Sequence, residues 1–170
     1  MGYVRDGLLL ILIPVFAAGC GGGSDETATR VETGLDEQPP SKPDYVEVAD
    51  VICMNHQSRR EDLESQASEL GRIDSAAKAR RIAGLLRTES RNLMAEHREL
   101  ADLQPPPPDL AQVASFLSGI RARATVIRHW ARAYEDLDRA RIRRFRIRLG
   151  VISAATEERA RAYGFDACGR

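Results

Sequence analysis

Between Asp44 and Tyr163, apolar residues recur every three or four positions, the period of helices with one buried face. The first stripe runs Ala49, Ile52, His56, Leu63, Ala67, Leu70 and stops at Gly71, a residue suited to the position just past a helix end. Asp44 and Glu47 form a capping pair at its start, with Pro43 just outside. A second helix can start at Asp74, with the stripe Ile82, Leu86, Leu93, His97 and Leu100. Pro105 to Pro108 forbid helix and predict an extended turn. Asp109 and Gln112 offer the next cap, followed by the cleanest stripe: Val113, Leu117, Ile120, Ala124, Ile127, Ala131, Tyr134. The last stripe is Ile142, Phe145, Leu149, Ile152 and Tyr163, closed by Gly164 as a left-handed cap with apolar Phe165 behind it. The segment Glu135-Asp136-Leu137-Asp138 holds neither glycine nor proline. Periodicity alone therefore allows one helix from Asp109 to Tyr163.

The start of the chain has a different pattern. Arg5 precedes an apolar run from Leu8 to Phe16, which is broken by Pro14 and is short of the ~20 residues a membrane span needs. It suits the apolar region of a secretory signal. The run ends in Ala17-Ala18-Gly19-Cys20, which resembles the lipobox of bacterial lipoproteins. The resemblance implies that residues 1–19 are a cleaved signal and that the Cys20 thiol carries lipid. It also implies attachment to the extracytoplasmic face of the cell membrane. Gly21, Gly22, Gly23 and Ser24 then read as a flexible tether. Asp25 to Asp44 holds six acids against Arg30 and Lys42, with Pro39, Pro40 and Pro43. Residues 20–43 are thus expected to form a lipidated, disordered stalk, and 44–170 the folded domain.

With Cys20 lipidated, Cys53 and Cys168 remain. An exported pair is best read as one disulfide, and that bridge decides the open boundary. Helix one rises from Asp44 and helix two returns, so Cys53 lies about 14 Å above the lower end at 1.5 Å per residue. An unbroken third helix would climb roughly 80 Å and strand Cys168 far above Cys53. A turn near Asp136–Asp138, with Asp138 capping a fourth helix, instead brings Cys168 down beside helix one. The expectation is an all-α, antiparallel up-down-up-down four-helix bundle, its first and last helices joined by a disulfide. The ending Tyr163-Gly164-Phe165-Asp166-Ala167-Cys168-Gly169, paired with Ile52-Cys53, resembles small helical lipoproteins of high-GC Gram-positive bacteria. That family brings no known activity with it.

Candidate chemistry is sparse. The chain has no G-x-S-x-G elbow, no phosphate-binding glycine loop and no H-E-x-x-H. Three residues before His56, His97 and His129 stand Cys53, Met94 and Val126, so the Glu-x-x-His pair of di-iron bundles is missing. Cys53 and His56 form a single C-x-x-H pair, too little for zinc. His56 and His97 fall on inward stripes but are staggered in height, which suits hydrogen-bonded core histidines better than a shared ion. Met54 and Met94 read as packing rather than as haem ligands, and Trp130 and Tyr134 as core or rim. No metal, cofactor or enzymatic activity is expected.

Composition changes this picture in one respect. The 170 residues carry no net charge, yet Arg121 to Arg161 holds twelve arginines against Glu135, Asp136, Asp138, Glu157 and Glu158. Arg139, Arg143, Arg144, Arg146 and Arg148 could form a docking face for an anionic envelope component or an acidic protein. Pairing of these arginines with Glu61, Asp62, Glu64 and Glu69 of the first helix is the favoured expectation, since the topology sets them level with one another. Nucleic acid is not an expected partner of an exported protein with 5% aromatic residues. The sequence thus suggests a membrane-anchored envelope lipoprotein with a non-enzymatic interaction or structural role. The alternative is a carrier holding a small apolar ligand between its helices.

Overall fold

A computed structural model describes residues 39–169. The signal, Cys20 and most of the expected stalk lie outside the described residues. Four helices follow one another: α1 (Lys42–Glu69), α2 (Ala76–Ala101), α3 (Leu110–Glu135) and α4 (Arg139–Tyr163). At 25 to 28 residues each, they are all about 40 Å long. They form the antiparallel four-helix bundle that periodicity and the expected disulfide together predict. The lower end holds the start of α1 and the proline connection; the upper end holds the turn between α3 and α4.

Three caps differ from the sequence reading. α2 begins at Ala76 rather than Asp74, with Ser75 as its N-cap, the hydroxyl accepting from the Lys78 amide at 3.3 Å. α1 begins before Asp44: Ser41 is the N-cap, its hydroxyl accepting from the Asp44 amide at 3.4 Å. Pro43 lies inside the first turn, where a missing N–H leaves no bond unmade. Asp109 precedes α3 in a helical conformation and makes no side-chain cap. Its carboxylate instead accepts from the Tyr163 hydroxyl at 3.0 Å, and a short 3-10 turn, Pro107–Asp109, ends the proline connection.

The other ends match the sequence reading. Gly71 and Gly164 both have positive φ, +59° and +108°, a region closed to most residues. At the disputed boundary, Asp138 accepts from the Arg141 amide at 2.9 Å and caps α4. The turn needs no glycine because Leu137 itself takes φ +54°, at a cost of about 1 kcal/mol or more. The Asp138 amide closes it on the Ala133 carbonyl.

Packing is densest at the lower end. Tyr45, Phe116, Tyr163 and Phe165 form an aromatic cluster, with ring centroids 4.7 to 6.2 Å apart. Cys53 and Cys168 are bonded, with Cα atoms 5.1 Å apart, so the bridge joins α1 to the segment that follows α4. Asp50 secures the same segment: its carboxylate accepts from the amides of Asp166, Ala167 and Cys168 at 2.9 to 3.1 Å. In the lower half of the bundle, Gly119 of α3 lets α4 approach closely. A Cβ there would collide with the Thr156 side chain, reaching 2.9 Å from its methyl carbon.

The bundle is not evenly closed. α1 packs on α2, α2 on α3 and α3 on α4, but no Cα of α1 comes within 8 Å of any in α4. The expected apolar stripe of α4 is accordingly only half-buried at Ile142, Phe145, Leu149 and Ile152, while Thr156, Ala160 and Tyr163 are buried. Among the described residues, no helix is long and apolar enough to cross a membrane.

Candidate functional site

Where the upper halves of α1 and α4 stand apart, a cleft of about 370 Å³ opens into the bundle. This is near the lower end of the ~300–1,000 Å³ usual for small-molecule sites. Its walls are mostly apolar: Leu63 and Ala67 from α1, Ile82, Leu85 and Leu86 from α2, Ile127 and Trp130 from α3, and Leu149 from α4. Arg60, Glu89 and Arg123 also line it.

These charged residues belong to a buried cluster. Arg60 donates from Nε to Glu89 at 3.0 Å and from Nη2 to Glu96 at 3.2 Å. Burial pushes both carboxyls above the ordinary glutamate range, against the pull of Arg60. Burial also lowers the Arg123 guanidinium, with Arg60 adding to the effect. Two cations and two acids thus share one region, and Glu157 of α4 also acts on Arg123. Three buried polar atoms of cleft residues have no hydrogen-bond partner: Glu89 Oε2, Arg123 Nε and Trp130 Nε1.

Below the cleft, a second polar group ties α1 to α2. The Asn92 amide donates to the His56 carbonyl at 3.1 Å, which leaves its oxygen facing His56 Nδ1 at 2.8 Å. That oxygen can only accept, so Nδ1 carries a proton. Nε2 lies 3.2 Å from a Glu99 carboxylate oxygen without the alignment of a hydrogen bond. His56 is therefore the hydrogen-bonded core histidine the sequence suggests. His97 is half-buried and takes no part, its pKa lowered first by burial and then by Arg121 and Arg98. Among the described residues, no three His, Cys, Asp or Glu side chains are grouped to hold a metal ion.

The expected pairing of the α4 arginines with α1 does not form. Arg139, Arg143, Arg144, Arg146 and Arg148 are all exposed, and none forms an ion pair with a described residue. The separation of α1 from α4 is the physical reason. Arg141, which was not among the predicted five, pairs with Asp136 at 2.9 Å beside the turn. Nor do the five share one face. Arg139, Arg143 and Arg146 line an open concavity of about 580 Å³ beside the start of α2. At 100° per residue, Arg143, Arg144 and Arg148 flank Ile147 and Val151 on the outer side of α4. These two are the most exposed large apolar residues among those described, at 61% and 67%.

The fold and these surfaces define a disulfide-tied helical bundle with an apolar cleft and a cationic side on α4. No protein-family model, no curated protein and no solved structure matches the chain.

Proposed function

We propose that the chain is a lipid-anchored envelope protein with a non-enzymatic interaction role. It is held through Cys20 at the extracytoplasmic face of the membrane and docks on anionic head groups by the outer side of α4. The observation that carries this reading is the exposed row of Arg143, Arg144 and Arg148 beside Ile147 and Val151, none of the three in an ion pair with a described residue. Residues 139–156 contain no acid at all. Arginines flanking exposed aliphatic residues fit a lipid surface better than a soluble anion, since the aliphatic groups then leave water as well.

Two measurements test it. Radiolabelled palmitate is expected to label the native chain in cells and not the Cys20→Ala variant; labelling that persists in the variant removes the anchor. The unlipidated Cys20→Ala chain is expected to bind vesicles of phosphatidylglycerol and phosphatidylcholine, more weakly as salt rises, and not vesicles of phosphatidylcholine alone. Changing Arg143, Arg144 and Arg148 together to Gln removes roughly 1 kcal/mol per charge, about 100-fold in affinity. Equal binding by the variant removes the docking reading.

A second reading, a carrier of a small apolar molecule, is favoured by the cleft between the helices. The two are compatible, because the cleft opens inward and the cationic side of α4 faces out.

A further inference from the structure

The cleft walls are apolar, but the polar atoms beneath them are unevenly satisfied. Arg60 occupies one oxygen of Glu89 and one of Glu96. Glu89 is 91% buried, counting its 9% exposure, and its Oε2 has no partner. Arg123 Nε and Trp130 Nε1 are donors without acceptors in the same walls. Buried polar groups left unpaired cost about 1–3 kcal/mol each. A ligand group that pairs with them recovers this cost, which gives the cleft a chemical preference beyond its apolar lining.

From these atoms we infer that the cleft binds a small aliphatic molecule whose polar end is uncharged and both donates and accepts hydrogen bonds, such as a hydroxyl or a primary amide. This rests on the carrier reading and adds the chemistry of the ligand head. The apolar tail lies against Leu63, Leu86, Ile127 and Leu149. The head donates to Glu89, whose terminal torsion is broad and turns at low cost. It accepts from Arg123 or Trp130. A carboxylate head can only accept, so it leaves Glu89 Oε2 unpaired and sets a third negative charge beside two buried acids. An ammonium head can only donate, and it meets two arginines. Arg60 and Arg123 already offset the two buried acids, so either ion gives up its hydration in the cleft without gaining an ion pair of its own.

Trp130 is the single tryptophan of the chain, so its fluorescence reports directly on the cleft. The test titrates the full chain carrying Cys20→Ala with 1-octanol, octanamide, octanoate and octylammonium. Saturable changes in emission are expected with the alcohol and the amide, at affinities about tenfold or more above those of the two ions. Glu89→Gln replaces the orphan acceptor with an amide that can donate. In that variant the advantage of octanol over octanoate is expected to shrink by about tenfold or to reverse. A Ser153→Phe variant, which fills the cleft from α4, is expected to abolish saturation while thermal unfolding stays cooperative. If no probe binds the parent chain, the carrier reading itself is overturned. If all four bind alike, or octanoate binds best, the head-group inference is overturned and the cleft remains a site for apolar ligands.

Discussion

Replacing Cys53 and Cys168 together by serine is expected to lower the stability of the helical domain by about 4–5 kcal/mol. The bridge spans 115 positions of sequence, and in the chain-entropy model a loop of ~100 residues loses close to that much freedom on closure. The position of the bridge adds to its effect. α1 is joined to the rest of the bundle through α2, and at its lower end through the segment after α4 and the contact of Tyr45 with Tyr163 at the end of α4. Without the bond, that segment depends on Asp50, which holds three consecutive amides, and on Phe165 in the aromatic cluster. Urea unfolding of the oxidised chain and the double variant is the measurement. The variant is also expected to show a steeper urea dependence, because its unfolded state is more expanded and exposes more surface. A loss below about 1 kcal/mol would mean that the Asp50 contacts and the aromatic cluster hold the ends together unaided, and that loop closure counts for little here.

How far this architecture can be read from the sequence depends on which interactions leave a local trace. The caps at Gly71, Asp138 and Gly164 do, because each has a chemical requirement that only a few residue types meet. The turn at Leu137 does not, since its backbone is one that leucine rarely adopts. It became readable only through the distant constraint of Cys53 and Cys168. The separation of α1 from α4 leaves no trace either. Periodicity says that each helix has a buried side but not which neighbour covers it. A closed square of helices would set Glu61 and Glu64 beside the α4 arginines; the open seam leaves those arginines in water and creates the cleft.

The charged cluster shows the opposite case, a signal present but read past. The α2 stripe Ile82, Leu86, Leu93, His97, Leu100 contains a jump of seven between Leu86 and Leu93. Glu89 fills that jump at spacings of three and four, Glu96 stands at the same spacings between Leu93 and Leu100, and both are buried. Arg60 likewise fills the gap between His56 and Leu63 on α1. A charge at an inward position of an otherwise regular stripe implies a partner across the interface, because an unpaired buried charge is too costly to keep. The stripe gives His97 the inward place, but it is Glu96, one position before it, that is buried there.

That same cluster makes the second large effect predictable. Arg60→Met is expected to cost about 3–5 kcal/mol near neutral pH, the usual penalty for breaking one side of a buried ionic pair. The Arg60 side chain is only 16% exposed, and its partners Glu89 and Glu96 only 11% and 6%. The pH dependence gives a signature that simple loss of packing would not. Burial holds both glutamates above their ordinary value of 4.5 in the folded chain. The folded state therefore binds more protons than the unfolded state from about pH 4.5 up to the raised values. Within that window stability falls as pH rises. Arg60 is the strongest opposing influence on both groups, so its removal raises them further and widens the window. The deficit of the variant is then smallest near pH 4 and grows towards pH 7.5, as urea unfolding at the two pH values would reveal. Adding Glu89→Gln to Arg60→Met leaves Glu96 as the buried acid facing Arg123, and recovers part of the loss at the higher pH. A deficit equal at both pH values, or no recovery in the double variant, would show that Arg60 acts through its aliphatic stem rather than its charge.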